Sequence, residues 1–188
     1  MNFRFNITKA IEATSRFLEL SGSELGIGQL GKRLYLADRR SLKLYRYPIV
    51  GDRYTSMKYG PMVSTVYDLT KAPTQRKDWV IDASWQQRWD RHFTREGRVV
   101  RLREAVAPAA LSRADLDIIA EINEWIRPFD DPKRWEELSK RLHDMLPEWE
   151  DPGESSKAIR VETLLDALQL SPAEKADVLE QSQFQPRL

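Results

Sequence analysis

Cysteine is absent from the 188 residues of this chain, and histidine occurs only twice. Without thiolates the chain has no disulfide, no cysteine nucleophile and no zinc site built on sulfur. The two histidines, His92 and His143, are too far apart in the sequence for their spacing to place them in one site. We therefore expect no catalytic centre, no metal and no cofactor.

Long apolar runs are missing as well. No stretch reaches the roughly 18 uncharged apolar residues that a membrane span needs, and the first residues, MNFRFNIT, lack the apolar core of a secretion signal. Charged residues make up 31% of the chain, while six Trp, six Tyr and six Phe supply large side chains for a core. These features predict a soluble, cytoplasmic protein of one domain over residues 1–182, with a frayed tail at 183–188.

The net charge is also small, at +1, but the charged residues are unevenly distributed along the chain. Residues 1–103 carry 20 Lys or Arg against 10 Asp or Glu, and residues 104–188 carry 10 against 19, so the two parts stand at +10 and −9. Such asymmetry has two interpretations, which the sequence leaves open. The basic part orients a charged partner, or the two parts attract each other inside one fold.

Apolar periodicity and capping signals predict a mainly helical chain. The first helix covers Ile7 to Leu20 with Thr8 as its N-cap, and the second covers Leu30 to Leu42 with a basic exterior that includes Lys32 and Arg33. Three glycines lie between or within these segments, at 26, 28 and 31. Their spacing and the residue after Lys32 do not fit a phosphate-binding loop, so we interpret them as a plain loop.

The only β-structure that the sequence predicts lies in the middle of the chain. A polar loop from Lys71 to Asp78 is followed by aromatic residues, among them Trp85, whose spacing fits a short helix. Gly97 then precedes a run rich in β-branched residues, which predicts a small antiparallel hairpin with Arg95 to Gly97 in its turn. The fold class is therefore mainly α, or α+β, with one inserted hairpin.

Four further helices are predicted in the acidic part. Ser112 and Asp115 form a capping box for the first, which ends near Ile126. Asp131-Pro132 begins the second, with Trp135, Leu138, Leu142 and Met145 facing inward, and Pro147 ends it. A loop over 151–157 leads to two closing helices over 161–170 and 172–181, the last with Ser171 as its cap.

One corner carries the most specific local signal. Lys58-Tyr59-Gly60-Pro61 stops one element and opens another, and we expect a helix to begin at Pro61 because proline suits the first helical position. The apolar residues that follow, up to Leu69, recur at helical spacing. Whether this corner is a contact site or a structural hinge stays open.

The order of these blocks carries a resemblance. Several segments follow one another from about Ile7 to about Leu170. They are two helices, an extended link with Pro48, the K-Y-G-P corner, a Tyr-Asp-Leu ending, the LSRADLDIIAEINEWI helix and the segment from His143 to Trp149 with a His-x-x-x-Pro-x-Trp pattern. This arrangement resembles the Panacea domain, also called the SocA-like antitoxin domain, of bacterial and phage toxin–antitoxin systems. Two departures are Gly31-Lys32-Arg33-Leu34, where relatives usually read Lys-Leu, and Leu142 before the histidine, where a hydroxyl residue is common.

The resemblance implies a protein that neutralises a cognate toxin, encoded by an adjacent gene, through direct contact and without catalysis. Arginine and tyrosine are enriched at interface hot spots, so we assign partner binding to the basic, tyrosine-rich part together with two residues of the predicted short helix and hairpin region. The assigned residues are Tyr35, Arg39, Arg46, Tyr47, Arg53, Tyr54, Lys58, Tyr59, Trp85 and Arg91.

Alternatives remain for the function and for the polar clusters. The chain is an adaptor that delivers the toxin to a protease, or it regulates its own operon by binding nucleic acid, although no helix-turn-helix, zinc-finger or basic-zipper pattern occurs. The acidic residues around Glu148 and around Asp130 lie at predicted helix ends, where we interpret them as caps and solvated loop. A homo-oligomer is compatible with the sequence.

Overall fold

The computed structural model describes residues 3–71 and 81–184 and is mainly helical, which confirms the predicted fold class. The helices are α1 Ile7–Leu20, α2 Ile27–Tyr45, α3 Ser64–Leu69, α4 Ala83–His92, α5 Arg113–Ile126, α6 Trp135–Met145, α7 Val161–Ala167 and α8 Pro172–Phe184. The strands are β1 Glu24–Gly26, β2 Tyr54–Met57, β3 Gly60–Val63, β4 Phe93–Glu96, β5 Val99–Leu102 and β6 Lys157–Ile159. The predicted loop from Lys71 to Asp78 falls almost entirely outside the described residues, as do residues 185–188 of the predicted tail.

The strands form two antiparallel sheets of three strands, in the orders β1-β5-β4 and β3-β2-β6. The predicted hairpin is the β4–β5 pair, and because Glu96 pairs with Val99 its turn consists of Gly97 and Arg98. The second sheet was not predicted. Its outer strands are β3, which follows β2 directly, and β6, which comes from the far end of the chain and pairs Ile159 with Tyr54.

Helix α1 has the predicted bounds but a different cap. The side chain of Asn6 accepts a hydrogen bond from the backbone N–H of Lys9 at 3.0 Å, so Asn6, and not Thr8, is the N-cap. Buried residues of α1, such as Phe17, then contribute to an apolar core that draws residues from both charged parts of the chain. The helix is therefore positioned by a polar cap and an apolar face together.

Helix α2 is longer than predicted because the glycines belong to it. Gly26 is the N-cap, and its N–H donates to the side chain of Gln29 at 2.8 Å, so the helix begins at Ile27 and contains Gly28 and Gly31. Lys32 and Arg33 are buried, contrary to the predicted basic exterior. The helix runs through the core, which explains why nearly all of its residues up to Asp38 are enclosed.

The helix predicted from Pro61 begins three residues later, at Ser64. Pro61 lies in β3, an outer strand of its sheet, where a residue without an N–H is tolerated. The carboxylate of Asp52 accepts hydrogen bonds from the N–H groups of Thr65 and Val66 at 2.8 and 2.9 Å, and so satisfies the first turn of α3. The cap is thus supplied from a residue twelve positions before the helix rather than by a local signal.

The acidic part follows the prediction closely. Ser112 and Asp115 form the expected capping box of α5, and Ser171 Oγ accepts from the N–H of Glu174 at 3.3 Å at the start of α8. Met145 is wrongly predicted as an inward residue, since it is 53% exposed. The predicted loop over 151–157 ends in β6, which begins at Lys157.

The charge asymmetry is used within the fold. Five ion pairs among the described residues join a cation before residue 104 to a carboxylate after it. They are Lys9–Asp115, Arg33–Asp130, Arg39–Glu148, Arg40–Glu121 and Arg46–Glu174. The interpretation in which the two parts attract each other is therefore confirmed for these ten groups. Among the described residues, no helix is both long and apolar enough to cross a membrane.

Candidate partner-binding site

The K-Y-G-P corner forms the turn between β2 and β3. Met57 pairs with Gly60, which leaves Lys58 and Tyr59 at the tip, both exposed, with Tyr59 48% accessible. Gly60 has a φ of +106°, and a Cβ there would lie 3.2 Å from Leu142 Cδ1. Glycine is required both by the backbone and by the close approach of α6. The corner is therefore a tight turn, packed against α6, that presents two exposed side chains.

The start of α2 packs against the same turn and against α6. A Cβ on Gly28 would lie 3.1 Å from the indole of Trp135, and a Cβ on Gly31 would lie 2.7 Å from Met62 Cε. These two glycines thus make room for large side chains on the facing elements. The three-glycine segment is a packing surface and not a phosphate loop.

Lys32 lies at the centre of this packing. It is 2% exposed, and its Nζ is 4.9 Å from the centre of the Trp135 ring, a distance at which a cation interacts with an aromatic face. Over residues 3–71 and 81–184 the ammonium forms no ion pair and no hydrogen bond, and its Nζ keeps a small contact with solvent. Burial lowers the pKa of Lys32 to about 7, because the charged form loses its hydration.

His143 and Trp149 join the end of α6 to the turn. Their rings are stacked, with centres 3.6 Å apart and planes 12° apart, and Ser139 Oγ lies 3.4 Å from His143 Nε2. Trp149 Nε1 donates to the backbone carbonyl of Met57 at 3.0 Å. Partial burial lowers the pKa of His143, and the charge of Lys32 lowers it further. His143 thus packs beside Trp149.

Behind the turn, a buried polar cluster includes two of the residues predicted to bind a partner. Tyr35 Oη donates to Glu148 Oε1 at 2.5 Å, and Arg39 Nε donates to the same oxygen at 2.6 Å. Tyr35 and Glu148 are buried, so Tyr35 is wrongly assigned to a contact surface and Glu148 is wrongly assigned to solvated loop. Arg39 is half-buried and neutralises a buried carboxylate. The cluster stabilises the fold.

Tyr54 is a second buried tyrosine that the prediction placed on the surface. Its Oη donates to Asp38 Oδ2 at 2.9 Å, and its ring lies 5.4 Å from that of Tyr35 in an edge-to-face arrangement. Asp38 also accepts from the N–H groups of Val50 and Gly51 at 2.7 and 3.0 Å. Burial raises the pKa of Asp38 to about 6. Tyr54 therefore has a structural role in this network.

Three more of the predicted contact residues lie on or near the end of α2 and the start of β2. Arg46 ends α2 with a φ of 68° and forms an ion pair with Glu174. Tyr47 stacks on Tyr45 with ring centres 6.0 Å apart. Arg53 lies 3.8 Å from Asp68 in an ion pair. These residues are partly engaged within the chain.

The last two predicted residues lie on α4. Trp85 packs against Phe5, with ring centres 5.0 Å apart, while Arg91 is exposed. The ten predicted residues therefore do not form one continuous surface. The structure brings Tyr35 and Arg39 together at Glu148 and places Lys58 beside Tyr59 at the turn.

Sequence reasoning missed the importance of Lys32 and Trp135. Both were assigned ordinary roles, on a basic helix exterior and on the inward side of α6. One signal was present: Gly28 and Gly31 within a helix indicate that another element approaches closely, and Lys32 directly follows the second of them. The described residues contain no group of three or more potential metal ligands of the His, Cys, Asp or Glu type.

The comparisons with known proteins point to one family. The family model described as "Antitoxin SocA-like, Panacea domain" matches residues 30–150, more than half of the chain. The match begins just before Lys32 and ends just after Trp149, so it contains the complete site. No curated protein and no solved structure matches. The chain therefore belongs to the Panacea-domain family of SocA-like antitoxins.

Proposed function

We propose that this protein is an antitoxin that neutralises a cognate toxin by direct protein–protein contact, with no catalysis of its own. Membership of the Panacea-domain family supports the antitoxin role. The contact is made by the turn surface, defined here as exposed Lys58 and Tyr59 with the partly exposed side chains of Trp135 and His143 beside them. Neutralisation takes place in the cytoplasm, and the toxin is encoded by an adjacent gene.

The observation that carries this assignment is the exposure of a tyrosine and a lysine on a rigid support. Tyr59 is a large side chain left 48% accessible, while Gly60 next to it is locked against Leu142. A preorganised aromatic side chain loses little conformational freedom on binding, which favours affinity. Met145, 53% exposed and one helical turn beyond Leu142, extends the apolar area along α6.

A stable complex buries about 800 Å² on each partner. The two turn residues supply a fraction of that area, so the contact extends onto α6 and the segment that ends in Trp149. This extent agrees with the packing of the turn against α6. Charged Lys58 at the rim would direct an acidic partner toward the surface.

The experiment that tests the proposal is co-expression of the neighbouring toxin gene with Lys58→Glu/Tyr59→Ala. The matched control is Arg98→Glu/Tyr45→Ala, which changes the tip of the β4–β5 hairpin and another exposed tyrosine, 44% accessible. We expect the first variant to lose growth rescue and the control to keep it, with both folded by circular dichroism. Full rescue by the first variant would show that the turn surface does not bind the toxin.

The mechanism is tested separately with purified components. If the antitoxin covers the active surface of the toxin, it inhibits the toxin in a mixture that contains no protease. An adaptor that acts by delivery to a protease gives no inhibition there. Binding of operator DNA with a steep dependence on salt concentration would instead indicate a regulator.

A further inference from the structure

Two neighbouring residues of α2 are buried cations with different surroundings. Arg33 is 0% exposed and has a counter-ion: its Nη2 contacts both oxygens of Asp130, at 2.9 and 2.7 Å, and its Nε donates to Asn123 at 2.9 Å, while Nη1 has no partner among the described residues. Lys32 is 2% exposed and has neither a carboxylate nor a hydrogen-bond acceptor anywhere in the described parts of the chain. Arg33 thus has a counter-ion within the fold, whereas Lys32 has none among the described residues.

A largely buried ammonium without a protein partner is costly, because it has exchanged most of its hydration for an environment of low dielectric constant. The face of Trp135, 4.9 Å from Nζ, offsets part of that cost. A methionine at this position would fill similar volume without any penalty. A cation in such a place is therefore suited to a counter-ion that arrives with a binding partner.

The position of Lys32 would allow a counter-ion on a binding partner to reach it. Its Cε lies 3.5 Å from where a Cβ on Gly60 would be, so the side chain passes directly beneath the exposed β2–β3 turn. Its ammonium rests on Trp135, a ring that is itself only partly buried. The cation therefore ends close to the surface, between the turn and the start of α6.

The charges around this point favour an anion. Lys58 lies on the turn above, and Lys32 acts on His143 through its charge. The acidic residues within electrostatic reach of His143 are Asp144 and Asp151, and Asp144 is paired with Lys140 at 2.8 Å. Neither carboxylate bonds to Lys32.

We propose that Lys32 is the receptor for a carboxylate that the partner protein inserts beneath the β2–β3 turn, as an aspartate or glutamate side chain that contacts the Lys32 ammonium on the side away from the Trp135 ring. This inference rests on the proposed function, because the partner is the toxin. The exposed Lys58 and Tyr59 form the rim, and Lys32 forms the floor. A charge-assisted hydrogen bond formed in a site that is already largely dehydrated is stronger than one at the surface.

The occupant is a carboxylate on a protein rather than a free oxoanion. Phosphate sites usually offer an arginine fork or several backbone N–H groups, and here the neighbouring guanidinium of Arg33 is already engaged by Asp130. A single ammonium binds a free anion weakly. A carboxylate that is held by the surrounding contact acts at a high effective concentration.

The first test uses the purified chain and needs no toxin. The Lys32 side-chain signal, assigned by its loss in Lys32→Met, is followed by NMR during addition of N-acetyl-glutamate methylamide. The uncharged glutamine analogue, sodium chloride and inorganic phosphate are the comparison probes. We expect a saturable shift with the glutamate probe alone. The absence of any shift beyond that caused by salt, or tighter binding of phosphate than of the glutamate probe, would overturn the inference.

The second test uses the toxin and separates binding from stability. Lys32→Met should weaken toxin binding by about 30-fold or more, as expected for a buried hot spot, while its melting temperature rises. Lys175→Met, a partly exposed lysine of α8, is the matched control and should bind like the wild type. Unchanged binding by Lys32→Met would refute the carboxylate receptor and leave the proposed turn surface intact. The probe titration still decides the site if the toxin assignment itself fails.

Discussion

The imidazole of His143 lies flat against the indole of Trp149, with ring centres 3.6 Å apart. The same indole donates to the carbonyl of Met57 at 3.0 Å, so α6, the segment after it and strand β2 are fastened at one point. The His and Trp of the His-x-x-x-Pro-x-Trp pattern thus hold the segment after α6 against the end of β2, next to the β2–β3 turn. The support of the turn consists of two stacked rings and a hydrogen bond.

Trp149→Phe should destabilise the protein moderately. The substitution keeps a ring against His143 but leaves the Met57 carbonyl without its donor, a loss of about 1 kcal/mol. Trp149→Ala also removes the ring and should cost about 3–5 kcal/mol. Urea unfolding measures both. Equal losses for the two variants would mean that the stacked ring contributes nothing.

Gly60→Ala should be much more harmful than Gly97→Ala. Both glycines have positive φ, but an added Cβ at Gly60 meets Leu142 at 3.2 Å, whereas at Gly97 nothing lies within 4 Å. We expect a loss of about 1 kcal/mol at Gly97, from backbone strain alone, and at least about 2 kcal/mol at Gly60. Thermal unfolding of the two variants gives the comparison, and similar losses would contradict the close packing of α6 on the turn.

Glu148→Ala should cost far more than Glu121→Ala. Glu148 is buried and neutralises Arg39 while it accepts from Tyr35, so its removal leaves buried groups unpaired, at a cost of about 3–5 kcal/mol. Glu121 pairs with Arg40 at 3.2 Å on the surface, where such a pair contributes less than about 1 kcal/mol. Denaturant midpoints at constant m-value decide the order. Equal effects would show that the Glu148 cluster is solvated.

Lys32→Met should raise the free energy of unfolding at pH 6. The pKa of Lys32 is about 7 in the folded state and 10.5 in the unfolded chain, where the side chain is hydrated. Between these two values the unfolded chain therefore binds more protons than the folded protein. The destabilisation by Lys32 is therefore complete below about pH 7 and fades as the pH rises toward 10.5. We expect the variant to be more stable by roughly 1–4 kcal/mol at pH 6, and the difference to shrink by pH 9.

Urea unfolding of wild type and Lys32→Met from pH 6 to pH 9 measures this difference. His143 titrates near the same site, with a lowered pKa, so a His143→Gln background in both proteins removes its contribution. A difference between the two proteins that stays constant over this range would mean that Lys32 keeps its ordinary pKa. A difference that grows with pH would contradict the account of the buried ammonium.

Much of the helical framework is local and was predictable from the sequence. The bounds of α1 follow from its apolar spacing, and the capping box of Ser112 with Asp115 is complete within four residues. Charge counting gave two open interpretations, of which the structure shows the internal ion pairs. These features depend on neighbours in the sequence or on composition, which a single sequence displays directly.

The errors share a different cause, which is pairing over long distances. Pro61 suits the start of a helix, but β2 pairs with it and Asp52 caps α3 from twelve residues upstream of Ser64, so the helix begins later. Strand β6 exists because Lys157–Ile159 meets β2 after a separation of about 100 residues. Neither partner is visible to local propensity.

The candidate site was predicted only in part for the same reason. Lys58 and Tyr59 are exposed as a turn sequence suggests, whereas Tyr35 and Tyr54 are buried by partners at Glu148 and Asp38. Tyrosine serves both interfaces and cores, because it has an apolar body and a polar end. Composition therefore cannot assign a tyrosine to either place without its partners.

The affinity of the purified protein for the toxin encoded next to it tests the central claim most directly. Calorimetry should show binding by the wild type, a loss of about 30-fold or more in Lys58→Glu/Tyr59→Ala, and a change of less than about threefold in Arg98→Glu/Tyr45→Ala. This result would place the contact at the β2–β3 turn. Equal affinities for the two double variants, or no binding by the wild type, would contradict the claim that this surface neutralises a toxin by contact.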